Sequence, residues 1–570
     1  MKLPRILSRL LEKTPVMLSA AKHLLYLLEN EQSRSFAEFT LSPFASLRAV
    51  RERRANGLRM TLRKGFFSSL LRESARRIQR PAILRGLAFG CSNSICYHFG
   101  AGFLLKKIGR NRNSISCEAS FMGKGRRKMA EMQNELSARQ SILSRLADAR
   151  VRTDQLFEMV TPEALSDRPI PERHRIVFYL GHLEAFDWNL LGRYAFDLKP
   201  FNAAFDNLFA FGIDPVDGGL PSDQPSDWPP VPEIHQYNQR LRTELDRHLE
   251  SESYGDADDP LSPTGVYLNV AIEHRLMHAE TLAYMLHQLP LERKVPKPAP
   301  RIAAAPRAER KMIEIPAGTA TLGLLKQGGA FGWDNEFDAH STEVPAFAID
   351  EYKVTNGEFL KFVREGGYQD PMLWSKEDWE WVQQEGIRQP KFWIPRGDDW
   401  FNRSMFAEVP LPLDWPVYVS HAEAAAYARW AGKQLPTEEQ FHRAAYGTPQ
   451  GTERPYPWGV EPPAESYGTF DFARWDPSPV HAHPAGRSAF GVADLIGNGW
   501  EWTSSIFKPF PGFEPFPFYQ GYSVNFFDGL HYVMKGGSAR TAASMLRRSF
   551  RNWFQPHYQY VYSGFRLVHN

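Results

Sequence analysis

Leu495-Ile496-Gly497-Asn498-Gly499-Trp500-Glu501-Trp502, followed by Lys535-Gly536-Gly537-Ser538 and Gly564-Phe565-Arg566, sets the texture of the C-terminal half. From Lys311 onward, short β-type pieces such as Met312–Ile315 and Ala346–Ile349 alternate with Gly, Pro, Trp and Asp. Three segments there read as helices: Val354–Glu365, His421–Ala431 and Thr437–Tyr446, the last with Thr437 and Gln440 in capping-box positions. A Trp- and Gly-rich chain with so little regular structure is held by loop packing and aromatic burial, with bound ions as a further means. It is long enough for one core.

Upstream the pattern is helical. Met132–Leu146 and Thr153–Val160 carry apolar residues three and four apart, Pro162 and Glu163 open a further helix that ends by Pro169–Arg173, and another runs from Ile176 to Tyr194. Phe211–Pro232 is rich in Gly, Pro and Asp and reads as a loop, after which helices resume over Pro232–Ser251 and Pro263–Leu289. Four or five helices of this length suggest an up-down bundle, in which facing helices can build a metal site. The Pro-rich, charged segment Glu292–Ala308 is a linker.

Charge divides the chain of 570 residues differently. Residues 1–128 hold 26 Lys and Arg against 7 Glu and no Asp, whereas the remainder holds 42 basic and 58 acidic side chains. The basic stretch has three readings: an arm for nucleic acid or anionic membrane, a targeting peptide, or an upstream frame joined to too early a start. The composition break just before Met122 and Met129 favours the third. Cys91, Cys96 and Cys117 all lie in this stretch, so the body after Cys117 has no disulfide, no thiolate-held zinc and no thiol nucleophile. An odd cysteine count without a clean signal peptide points to a reducing, cytoplasmic setting. No run of 18 apolar residues is present to cross a membrane. No nucleic-acid-binding signature accompanies the basic charge.

The pieces quoted above are joined in order by Ile315-Pro316-Ala317-Gly318, Glu343-Val344-Pro345-Ala346-Phe347, Tyr352-Lys353-Val354-Thr355-Asn356, Leu435-Pro436-Thr437-Glu438 and Tyr456-Pro457-Trp458-Gly459. Together they resemble the formylglycine-generating-enzyme/sulfatase-modifying domain, a C-type-lectin-like fold. Formylglycine-generating enzymes use paired cysteines near the C-terminus. Ser538–Arg551 has none, so that activity is not expected. The resemblance alone does not decide between catalytic and non-catalytic members.

His274-x-x-x-His278 lies in the strongly helical segment 267–289, and spacing i, i+4 puts both imidazoles on one face where they can chelate one ion. Gly181-His182-Leu183-Glu184 sits on an earlier helix. A bare pair of this kind also suits an ordinary helix surface. With the downstream domain, however, the set resembles the ergothioneine-biosynthesis sulfoxide synthases over residues 129–570. That family implies a multidomain α plus mixed α/β chain with a DinB-like four-helix bundle at 129–295, a linker at 296–310 and the sulfatase-modifying-factor domain at 311–570.

By this resemblance His182, His274 and His278 are ligands of a non-haem Fe(II). Three neutral imidazoles leave open positions and add no negative charge, so a thiolate can supply it. The implied reaction uses O2 to join a thiol sulfur to imidazole C2 of trimethylhistidine and to oxidise that sulfur. Asn552 and Trp553, in Phe550-Arg551-Asn552-Trp553, are the implied contacts to the betaine. A Tyr before the Gly-Gly-Ser turn is the implied proton donor, which leaves Tyr519 and Tyr522, with Tyr237 as an outside candidate. Where mycobacterial-type enzymes place an Asp that grips γ-glutamylcysteine with helical-domain arginines, Phe554 stands here, and no Arg lies between Arg193 and Arg240. Free cysteine is therefore the favoured thiol.

Other residues keep two readings at this stage. Glu273 and Glu280 are either acceptors for imidazole N–H groups or surface helix carboxylates. Asn498 and Glu501 either frame a structural Ca(2+) or belong to a metal-free buried motif. His287 reads as a helix C-terminal histidine, and His174 as solvated surface. Rival functions are the same scaffold with another thiol or a selenium donor, and a ligand-binding member without turnover.

Overall fold

Ile142, Leu146, Ala149 and Leu156 recur at helical spacing, all nine-tenths or more buried, on one helix over residues 142–157 (α1). The two helices expected on either side of Ala147–Arg152 are thus a single one, since that stretch contains no helix breaker. The computed structural model describes residues 142–210, 220–251, 262–300, 311–326 and 328–570. The basic arm 1–128, the start of the first helix, and parts of the loop after Phe211 and of the linker lie outside the described residues. Those described belong to one unit, Arg110–Asn570, and none of their helices is long and apolar enough to cross a membrane.

Three further long helices follow α1. Ile176–Asp187 (α2) is buried at eleven of its twelve positions and runs on through a π-helical stretch, Trp188–Ala195. The segment opened by Pro162 is only a 3-10 turn, Pro162–Ser166. A short helix, Ala203–Leu208 (α3), was not legible in the sequence and is capped by Asn202, whose side chain accepts from Phe205 N. Val231–Ser251 (α4) and Pro263–His287 (α5) complete the set. The N-terminus of α5 is fixed by Pro263 in its first turn and by Ser262 Oγ, which accepts from Gly265 N at 3.0 Å.

The C-terminal part has four small sheets. Met312–Ile315 (β1), Phe347–Asp350 (β4) and Val568–His569 (β12) form one, closing the chain end onto its start in the order β1-β4-β12. Gly318–Leu322 (β2) pairs with His340–Val344 (β3). Trp393–Arg396 (β5), Asp399–Arg403 (β6) and Glu408–Pro410 (β7) form a meander that the sequence reading missed. The fourth sheet, in the order β10-β9-β8-β11, joins Asn552–Phe554 (β10), Tyr532–Lys535 (β9), Trp500–Ile506 (β8) and Ser563–Gly564 (β11). Helices Asn356–Arg364 (α6), His421–Trp430 (α8) and Glu438–Tyr446 (α9) are those expected, each opened by a capping box. Lys376–Gln384 (α7) is additional.

The Gly-Asn-Gly-Trp-Glu-Trp stretch shows why it dominates the fold. Strand alternation sends Trp500 and Trp502 to one face of β8 and Glu501 to the other. The Trp500 indole donates to Glu280 on α5 at 2.8 Å and that of Trp502 to the Val419 carbonyl at 2.9 Å. Glu501 accepts from Arg566 at 2.6 and 2.8 Å and lies 3.2 Å from Lys353 Nζ, all fully buried. Asn498 is spent on Ser478 and Asp494. The two residues considered for calcium are therefore committed to protein partners, and the positive charge facing Glu501 comes from Lys353 and Arg566.

One apolar core runs through both parts. It contains residues of α1, α2, α4 and α5 together with Trp333, Trp500, Trp502, Tyr522, Phe550 and Tyr562. A second, smaller core lies under β1–β4 and α9.

Candidate metal centre

His182 sits midway along α2, and its exact orientation follows from two neighbours. A Cβ on Gly181 would lie 2.5 Å from the Phe209 ring, so the glycine lets that ring close on the helix. The Phe209 carbonyl, held at the end of α3, accepts from His182 Nδ1 at 2.6 Å. That fixes the tautomer: the proton is on Nδ1, and Nε2 keeps its lone pair. His182 Nε2 is buried and meets no protein partner among the described residues.

On α5, His274 and His278 share a face one turn apart, and their Nε2 atoms stand 3.1 Å from each other. One ligating nitrogen from each of His182, His274 and His278 can be chosen so that all lie within 4.8 Å of one another. Two imidazole nitrogens each about 2.1 Å from one ion at a right angle are about 3.0 Å apart, so the α5 pair already has the separation of adjacent ligands. The three side chains are 3%, 3% and 2% exposed. Burial pushes the His182 imidazole down to about 4. Burial, with the other two rings next, holds His274 well below its usual value, and burial followed by His182 and Arg173 does the same for His278. All three are neutral at pH 7 with lone pairs to give. The trio can hold one metal ion, and uncharged nitrogen donors suit a borderline divalent metal.

Rings wall the trio. Phe186 stacks on His274 (3.4 Å between centroids, 11°), Phe178 on His182 (4.8 Å, 21°), and Tyr179 tilts against His278 at 5.6 Å. Phe178, His182 and Phe186 fall at successive i+4 positions of α2, and His174, just before the helix, is half-buried with its ring 4.2 Å from Phe178 rather than in solvent. Behind the histidines an ionic pin ties four helices. Arg275 donates to Glu184 (2.9 Å), Asp187 (2.6 Å) and the Leu183 carbonyl, while Arg242 of α4 joins Glu184 (2.6 Å) to Asp154 of α1 (2.7 Å). Burial works against the Glu184 carboxylate, yet Arg275 and Arg242 hold it below the usual carboxylate range.

The C-terminal part closes the site through Tyr519. Its ring lies 5.4 Å from Phe186 and 6.5 Å, edge-on, from His274. Tyr522, 5.6 Å from Tyr519, stacks on Trp333 (3.9 Å, 25°) and its hydroxyl reaches Met277 Sδ at 3.4 Å. Trp553 lies flat on Phe507 (4.1 Å, 7°) and edge-on to Tyr522 at 5.5 Å, so rings run from Trp553 through Tyr522 and Tyr519 to His274. Asn552 belongs to β10, and its Oδ1 accepts from the next backbone N–H. Tyr237, by contrast, donates to Asp206 at 2.7 Å within the helical part. Phe554 stacks on Tyr558 at 5.0 Å, and Arg173, buried, donates to the Tyr558 hydroxyl at 2.9 Å with Phe554 6.0 Å from its guanidinium. The helical-part cation beside Phe554 is thus Arg173, which lies upstream of His182 and not between Arg193 and Arg240.

Glu273 and Glu280 take neither of the roles foreseen for them. Glu273 accepts from Arg547 at 2.6 and 3.0 Å and from the Trp333 indole at 2.8 Å. Arg547 also holds Glu336, at 2.8 Å through Nε. Glu280 accepts from Trp500, Thr541 and Ser538. His287 is indeed in the last turn of α5 but is buried, between the Arg403 carbonyl (2.7 Å) and the Tyr562 hydroxyl (3.1 Å). Burial pushes it down to about 3, so it carries no charge for the helix dipole.

Residues 145–282 match the DinB superfamily and residues 298–570 the sulfatase-modifying factor enzyme 1-like domain. A hercynine oxygenase of Mycolicibacterium smegmatis is 34% identical over 451 residues, covering 76% of this chain and 99% of the relative. The hercynine oxygenase of Mycobacterium tuberculosis is 43% identical over 238 residues, 41% of this chain and 55% of its own length. Ergothioneine biosynthesis protein 1 of Neurospora crassa is 31% identical over 492 residues, 72% of this chain and 55% of its own length.

Proposed function

The chain belongs to the hercynine oxygenase family, and from that membership we propose that it is an Fe(II)-dependent sulfoxide synthase of ergothioneine biosynthesis. The observation that carries the reading is the convergence of three buried, neutral imidazoles from α2 and α5. The reaction joins a thiol sulfur to C2 of trimethylhistidine: one oxygen of O2 ends on sulfur, and the other leaves as water with the two displaced hydrogens. Iron(II), when held by His182, His274 and His278, supplies electrons to O2.

The chain's own groups do the rest. Phe186, Phe178 and Tyr179 keep bulk water from the trio. Tyr519, whose ring faces His274, is assigned to deliver the proton, with Tyr522 packed behind it. Asn552 and Trp553 are assigned to the betaine, whose trimethylammonium suits an aromatic face. Cysteine is the assigned thiol, because Phe554 stands where a longer γ-glutamyl donor would need an acid, and the nearby Arg173 is spent on Tyr558. The residues divide into a DinB-like bundle at 129–295 and a catalytic cap at 311–570.

The test is aerobic incubation with Fe(II), trimethylhistidine and cysteine, followed by mass spectrometry and metal analysis. The expected outcome is about one iron per chain, a cysteine sulfoxide conjugate, and loss of both in His278→Ala. Product from γ-glutamylcysteine but not cysteine would overturn the thiol assignment. Absence of product with either thiol would overturn the activity.

A further inference from the structure

Metal-binding histidines are normally oriented through the ring nitrogen that does not face the metal. Here that holds for one ligand only. His182 has the Phe209 carbonyl, but His274 Nδ1 and His278 Nδ1 are buried and meet no protein hydrogen-bond partner among the described residues. What sets these two rings must therefore be packing, through Phe186 on His274, and the placement of α5 itself.

The placement of α5 is set from the C-terminal part, at the residues that bracket the pair. Glu273, one residue before His274, is gripped by the Arg547 fork and by Trp333, and Arg547 is itself held by Glu336, which also accepts from Ser549 at 2.6 Å. Glu280, two residues after His278, is gripped by Trp500, Ser538 and Thr541. Both carboxylates are spent on side chains of the C-terminal part, Glu273 on one 60 and one 274 residues later and Glu280 on three more than two hundred residues later. We propose that Arg547 is a positioning residue for the metal centre: by fixing Glu273 it fixes the rotation and height of α5, and so the separation of the His274 and His278 donor atoms. The proposal rests on the metal-binding reading of the trio and deepens it.

The experiment titrates the full-length protein with Co(II) and records its ligand-field bands. Variants are Arg547→Lys, which keeps the charge but loses the fork, and Glu273→Gln/Glu336→Gln/Arg547→Met, which removes the three coupled buried charges together and leaves none of them unpaired. Arg403→Met is the control. It removes bonds to the Gln288 and Leu289 carbonyls just past the far end of α5, loosening the same interface about 15 Å along the helix axis from His278. Thermal unfolding establishes that each variant is folded. The expected result is about a tenfold or larger loss of Co(II) affinity with altered bands in either Arg547 variant, and near-native affinity in Arg403→Met. Near-native affinity in a folded Arg547 variant overturns the proposal, as does an equal loss in the control. Failure of the unaltered protein to bind Co(II) instead overturns the metal-centre reading.

Discussion

At the scale of single residues, the site depends on one glycine. Gly181 has no chemistry of its own, yet the Phe209 ring occupies the space a Cβ would need, 2.5 Å away. The backbone carbonyl of that same Phe209 orients His182. Gly181→Ala must push the ring back, at a cost of about 1–3 kcal/mol for an overpacked core, and move the carbonyl with it. The expected outcome is lower thermal stability together with roughly tenfold weaker metal binding. A stability loss with unchanged metal affinity would show that the Phe209 contact does not orient the ligand.

At the scale of elements, α5 serves both parts of the protein, and its C-terminal end carries a pH signature. His287 is lowered to about 3, first by burial and then by Lys294, with Arg403 acting in both directions. Its folded pKa lies below the ordinary 6.5, so the unfolded chain takes up the proton first as pH falls. Its contribution to stability is complete above 6.5 and is lost progressively from there toward 3. Between pH 7.5 and 5.5 this one group should remove about 1.4 kcal/mol. Urea unfolding at the two pH values should show His287→Gln losing less stability than the unaltered protein by about that amount. Equal losses would mean that His287 is not the linked group.

The helices α2, α4 and α5 were legible as long helix-forming runs set off by prolines, with Pro171 before α2, Pro230 before α4 and Pro263 and Pro290 around α5, and the i, i+4 histidines followed from that. Glu273 and Glu280 were not legible: a carboxylate on a helix looks the same whether it meets water or Trp333 and Trp500, and only the tertiary fold brings those indoles near. The β5–β7 meander escaped because its strands are three to five residues long and largely half-exposed, too short for alternation to register.

At the scale of the whole molecule, the two parts share one core and two carboxylate grips on α5, so they should unfold together. Metal bound to the trio stabilises the folded chain by mass action. At a hundred times the dissociation constant this amounts to about 2.7 kcal/mol. If α5 is fixed from the C-terminal part, that gain cannot stay in the helices, because releasing Trp333 and Trp500 from Glu273 and Glu280 frees the helix that carries two of the ligands. Trp fluorescence, reporting largely on the C-terminal indoles, and far-ultraviolet dichroism, weighted to the helices, should therefore show a single coincident transition. Both should move upward together when Fe(II) or Co(II) is added anaerobically, and downward with a chelator. Two separated transitions, with metal shifting only the helical one, would show that the grips on α5 are too weak to join the parts and that the trio is assembled by the helices alone.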